Sequence, residues 1–120
     1  MPLSQNLIRF IRERLPSAEQ IEIVLLLRRD AARTWSAPEV SESLGTPPES
    51  TAMRLFLLTS NGILAFEGAR YRYAVDAATE AMVHELSEAY DTDRDALYAI
   101  VGGPARDPLR SFADAFKLKR

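Results

Sequence analysis

The sequence predicts an α+β domain that is mainly α, and three observations carry that assignment. Apolar residues recur at helical spacing behind hydroxyl residues of the type that caps helices. One extended stretch between residues 63 and 75 breaks that spacing with alternation of period two, and the helical period then returns. With 120 residues, 47% hydrophobic and 27% charged, the chain can bury one core, so residues 1–16, 17–75 and 76–120 are expected to be parts of one domain.

Residues 3–15 form a first candidate helix, with Leu7, Phe10, Ile11 and Arg14 on related faces. Three further helices are marked by Ser17-Ala-Glu-Gln20, Ser36-Ala-Pro-Glu39 and Thr46-Pro-Pro-Glu49, where a hydroxyl can accept a free backbone N–H and the residue three positions on can reach back. The first runs over about 18–32 and carries Ile21, Val24, Leu25 and Leu27; Arg28, Arg29 and Asp30 mark its end. The second is short, about 37–44, and stops at Gly45, which can adopt the left-handed conformation beyond a helix end. The third runs from Pro47 to Asn61 before Gly62. Proline in the first turn of the last two costs nothing, because that N–H has no partner within the helix.

Beyond Gly62, Ile63–Phe66 and Arg70–Val75 read as two strands around a turn near Glu67-Gly68, with Tyr71, Tyr73 and Val75 on one face and Arg70 and Arg72 on the other. A long amphipathic helix is expected from Asp76 to about Val101, carrying Ala78, Met82, Leu86, Ala89 and Tyr90, with a break near Asp91-Thr92-Asp93. Gly102-Gly103-Pro104 ends it, and Asp107-Pro108 opens a short helix with Leu109, Phe112, Ala113 and Phe116 on one stripe.

Composition narrows the function. Without cysteine there is no disulfide, thiolate metal site or cysteine nucleophile. The N-terminal residues show no basic region leading into a long apolar run, and Ile23–Leu27 is too short to cross a bilayer, so a cytoplasmic protein without membrane contact is expected. The net charge of −2 gives no global attraction to a polyanion, so any nucleic-acid contact must use a local basic patch.

The succession of capped helices, the turn at Gly45, the segment Leu55-x-x-Leu58-x-x-Asn61-Gly62-Ile63-Leu64 and the following hairpin resembles the winged helix-turn-helix domain of bacterial transcriptional regulators over residues 17–75. That resemblance implies a winged core with N- and C-terminal helical additions, and a regulator that binds double-stranded DNA. The helix after Pro47 would enter the major groove and the hairpin would reach phosphates. By position, Ser50, Thr51, Arg54, Arg70 and Arg72 become the nucleic-acid-binding residues, while Glu49 brings repulsion to the same helix.

Met53, Phe56 and Leu57 widen the apolar surface of that helix beyond the inward stripe of Leu55 and Leu58, which opens the alternative of a winged helix turned to protein–protein contact or a dimeric scaffold. Met82, Leu86, Tyr90, Phe112 and Phe116 offer further apolar surface, from which a homodimer is expected.

Chemistry-bearing motifs are weak. His84 is a single imidazole among scattered carboxylates, which predicts a solvated helical histidine and no metal. Asp91, Asp93 and Asp95 open like a calcium loop but lack its glycine and closing glutamate. Gly102-Gly103-Pro104 lacks the Lys-Ser/Thr of a phosphate loop, and Ser36, Ser41 and Ser43 lack a histidine partner in a recognisable motif. No catalytic residue and no cofactor is expected. Trp35, just before the Ser36 cap, is expected to be a hydrophobic staple or core plug.

Overall fold

In the computed structural model, which describes residues 3–102, the order is α1 (Gln5–Arg14), α2 (Ala18–Arg29), α3 (Ala37–Leu44), α4 (Pro48–Ser60), β1 (Leu64–Glu67), β2 (Arg70–Tyr73), α5 (Ala77–Thr92) and α6 (Arg94–Val101). The coarse expectation, mainly helical with one small antiparallel sheet, is what these residues adopt. The stripe Leu109, Phe112 and Phe116 lies outside the described residues.

Two of the three expected caps form. Ser17 Oγ accepts the Gln20 N–H at 3.1 Å. At Ser36 the reciprocal box is complete, with the Ser36 N–H donating to Glu39 Oε1 at 2.8 Å and the Glu39 N–H donating to Ser36 Oγ at 3.3 Å. The third box, Thr46 to Glu49, does not form: α4 is capped by Pro47 with no side-chain bond. Thr46 is buried, and its hydroxyl instead meets Thr51 Oγ1 at 2.6 Å. A buried hydroxyl needs a partner, and here the partner comes from inside the domain.

α2 is the central element. Ile21, Ile23, Val24, Leu25 and Leu27 are all buried, around most of its circumference, because α3, α4, β2 and Tyr98 of α6 surround it. Trp35 is buried in the residue before the Ser36 cap, together with Val40 one turn into α3, the two positions of a hydrophobic staple. Its backbone also pairs with Tyr71, N–H to O in both directions at 2.8 and 2.7 Å, which ties the hairpin to the α2–α3 connection.

The strands pair Leu64 with Tyr73, Ala65 with Arg72, Phe66 with Tyr71 and Glu67 with Arg70. The turn is therefore Gly68-Ala69, one residue later than expected, and both residues have positive φ (56° and 66°), as a tight two-residue hairpin requires. The period-two alternation places Leu64, Phe66, Tyr71 and Tyr73 on one face and the two arginines on the other.

The long helix expected after Asp76 is two helices. α5 ends at Thr92, Asp93 leaves the helical conformation (φ −152°, ψ 60°), and α6 turns back so that both helices pack on α1. This packing changes the expectation for the dimer stripe. Leu86 is fully buried within the monomer, and Met82 and Tyr90 are partly buried against the same core. Of the α5 side chains named for a second copy, Leu86 is therefore taken by the monomer core, while Met82 and Tyr90 keep part of their surface.

Two polar nodes lock the layers. Arg14 of α1 donates to the Asn61 carbonyl at 2.6 Å and to Thr79 Oγ1 at 3.2 Å, and Asn61 Nδ2 returns a bond to the Arg14 carbonyl at 2.8 Å. Arg28 donates to Glu80 Oε2 at 2.7 Å and the Tyr73 hydroxyl donates to Glu80 Oε1 at 2.7 Å, joining α2, β2 and α5. The Arg28 bond holds the Glu80 carboxyl below the ordinary carboxylate range, and burial raises the Tyr73 phenol above its ordinary value.

Candidate functional site

α4 has two unlike faces. Thr51, Leu55 and Leu58 are buried, at the i, i+4, i+7 spacing that points inward. On the opposite side Met53, Phe56 and Leu57 stand 59%, 64% and 37% exposed, at i, i+3 and i+4. One turn before Met53 the same stripe begins with the exposed carboxylate Glu49. Phe66, 53% exposed, adds a fourth large apolar side chain on β1 and stacks obliquely on Tyr71 at 4.9 Å between centroids.

The polar residues of α4 that the sequence offers to DNA are drawn to Glu19, in the first turn of α2. Glu19 is a buried carboxylate, and an isolated charge in such a place would be strongly disfavoured. Two hydroxyls of α4 satisfy it by hydrogen bonds, and a guanidinium of the same helix adds a longer ionic contact. The hydroxyls of Ser50 and Thr51 both bond to it, Thr51 Oγ1 at 3.0 Å from Oε2, while Arg54 Nε stands 3.9 Å from Oε1. Thr51 is fully buried, so its assignment as a base- or phosphate-contacting residue is corrected. Ser50 is partly buried and, with Arg54, is engaged in the same cluster.

The hairpin arginines are also paired. Arg70 donates to the hydroxyl and the carbonyl of Thr34, each at 3.0 Å, and to Glu39 Oε1 at 2.6 Å. Glu39 therefore serves two partners at once, the Ser36 N–H and Arg70, and both hold its carboxyl below the ordinary range, the Ser36 bond foremost. Arg72 reaches Glu67 at 3.3 Å across the hairpin. Both arginines remain partly exposed at their side chains, so they are accessible but not free cations.

The structure thus separates the five residues proposed for nucleic acid. Ser50, Thr51 and Arg54 converge on Glu19; Arg70 turns toward α3; Arg72 lies along the hairpin. Met53, Phe56 and Leu57 stay together on one exposed face. Sequence reasoning missed Glu19 and Glu39 as the anchors of these cations, and missed Phe66. The position of Glu39 in its capping box gave no sign of a second partner. The i, i+2 alternation of Leu64 and Phe66 did signal a shared face, but not that the core ends before Phe66.

His84 is exposed and stands 3.7 Å from Glu88, and among the described residues no group of three or more His, Cys, Asp or Glu is placed to hold a metal ion. A cleft of about 120 Å³ opens between α2, α3 and α5, with Glu22, Arg29 and Tyr90 in its lining. A wider hollow of about 370 Å³, lined by Arg33, Glu39, Glu42 and Ser43, is polar and open to solvent. Small-molecule sites commonly hold about 300–1,000 Å³ and are mostly enclosed and apolar, so the broad face of α4 is the better candidate for recognition. No helix among the described residues is long and apolar enough to cross a membrane. No protein-family model, curated protein or solved structure matches the chain.

Proposed function

We propose that this chain is a non-enzymatic, cytoplasmic winged helix-turn-helix domain whose third core helix has been turned from groove reading to protein–protein contact. The observation that carries this reading is the division of α4: Met53, Phe56 and Leu57 face solvent, while Ser50, Thr51 and Arg54 are engaged by Glu19. A helix that inserts into a major groove needs donors for base edges and phosphates on its exposed side. Here that side offers an apolar stripe headed by Glu49, which repels phosphate. An apolar i, i+3, i+4 triplet is instead the pattern by which helices dock on protein surfaces.

Phe56→Glu tests it. The substitution adds a charge at the centre of the exposed face and touches no buried contact. Affinity capture with the wild-type chain, or self-association measured by sedimentation, is expected to be lost in this variant while helical content is unchanged. Equal capture and equal self-association by wild type and variant would refute the assignment.

DNA binding is the second reading, favoured by the accessibility of α4 and by the partial exposure of Arg70 and Arg72. It requires salt-dependent binding of duplex DNA that weakens on all sequences when both arginines are replaced by alanine. Fluorescence anisotropy with a labelled duplex at low salt decides it: such binding would displace the protein-contact assignment.

A further inference from the structure

We propose that the exposed face of α4 is covered, in the same molecule, by the chain's own C-terminal segment, residues 109–116. This deepens the assignment of α4 as a protein-docking face by naming its occupant when no other partner is bound.

Three observations converge. The first is where the described chain ends. Glu19 and Glu22 lie three residues apart on α2, so their side chains stand about 5–6 Å apart on one face. Glu19 binds Thr51 at the start of α4, and Glu22 accepts the Tyr98 hydroxyl of α6 at 2.9 Å. α2 thereby contacts the first turn of α4 and the last turn of α6 through side chains one turn apart, and the chain leaves α6 at Gly102, four residues after Tyr98. Residues 103–108 can span about 20 Å when extended, whereas Phe56 lies only about 9 Å along the axis from Ser50. The reach suffices.

The second is the apolar pattern. Leu109, Phe112, Ala113 and Phe116 follow i, i+3, i+4, i+7, the same spacing that Met53, Phe56 and Leu57 present on α4. The third is charge. Residues 103–120 hold five cations and two anions, a net of +3, against −5 for the remainder of a chain whose total is −2. Both lysines of the protein are in this segment, at 117 and 119. Glu49 at the head of the α4 stripe is the exposed counter-charge. A short tether supplies an effective concentration on the order of millimolar, so a contact too weak to hold two separate molecules suffices within one.

The absence of cysteine makes a clean test possible in the full chain. Ala52→Cys, on the exposed side of α4, is combined with Ala113→Cys, and disulfide formation is followed at low micromolar protein. An intramolecular disulfide is expected to form, slowed about tenfold or more when Phe112→Glu and Phe116→Glu are added, because the tether alone would then set the rate. Phe56→Glu in place of the two tail substitutions is expected to slow it comparably. Unchanged rates in both variants would overturn the proposal, and so would a disulfide-linked dimer as the main product, which would assign the face to a second copy. Because this readout needs no other protein, a failure here leaves the Phe56-dependent capture experiment independently decisive for the docking role of α4.

Discussion

Thr51→Val isolates the interaction that decides which side of α4 meets solvent. The hydroxyl is fully buried and lies 3.0 Å from Glu19 Oε2, 2.9 Å from the Pro47 carbonyl and 2.6 Å from Thr46 Oγ1. One hydroxyl has one proton to give, so it can donate to only one of these acceptors at a time. The charged Glu19 carboxylate is the strongest of them. Valine fills the same volume and opens no cavity, so the cost is that of a buried carboxylate deprived of a donor, about 1.5–3 kcal/mol for a hydrogen bond to a charged group. For a domain of this size about 2 kcal/mol lowers the thermal midpoint by roughly 10 °C. Urea denaturation at neutral pH measures the loss. A double-mutant cycle with Glu19→Gln is expected to return a coupling of about 1 kcal/mol. Ser50→Ala, which removes a less buried hydroxyl from the same carboxylate, is expected to cost less than about 1 kcal/mol. If Thr51→Val changes stability by less than about 0.5 kcal/mol, Glu19 does not hold α4 and the account of its two faces fails.

Three other outcomes follow from the same geometry. In a chain already carrying Phe112→Glu and Phe116→Glu, Phe56→Glu is expected to leave the urea midpoint within about 0.5 kcal/mol, since the ring is 64% exposed; a larger loss would mean that the ring packs within residues 3–102. Gly62→Ala is expected to destabilise by about 1 kcal/mol, because φ is +85° while the added carbon would meet Arg14 Nη2 at an ordinary 3.5 Å, so backbone strain and not crowding sets the cost. Glu80 is held below the ordinary carboxylate range by Arg28, so its contribution is present above the unfolded value near 4.3 and is lost as pH falls through the lower folded value. Between about pH 5 and pH 2, Glu80→Gln should therefore flatten the acid loss of stability, by no more than about 1 kcal/mol because the pair is partly solvated; identical acid profiles for wild type and variant would contradict it.

Local signals were enough to determine much of the architecture. Ser17 and Ser36 cap helices because the hydroxyl that satisfies a free N–H lies within three residues of it, and Gly45 ends α3 for reasons internal to the turn. Period-two alternation located the hairpin and sorted Arg70 and Arg72 from Tyr71 and Tyr73, because strand side chains alternate whatever surrounds them. Helical spacing likewise identified Met53, Phe56 and Leu57 as surplus to the inward stripe of α4. What only the tertiary structure decided is the fate of groups whose partners are distant in sequence. Thr46 and Thr51 read as a cap and a DNA contact, yet Glu19, some 30 residues away, draws Thr51 inside, and Thr51 in turn takes the Thr46 hydroxyl. Arg70 reads as a free cation on a hairpin, but Glu39, 31 residues earlier, claims it. Leu86 reads as dimer surface, whereas it is fully buried in the monomer core, with α1 and α6 both packed on α5. The physical reason is the same in each case: burial and charge pairing belong to the neighbours that folding supplies, and periodicity reports only which side of an element a residue occupies.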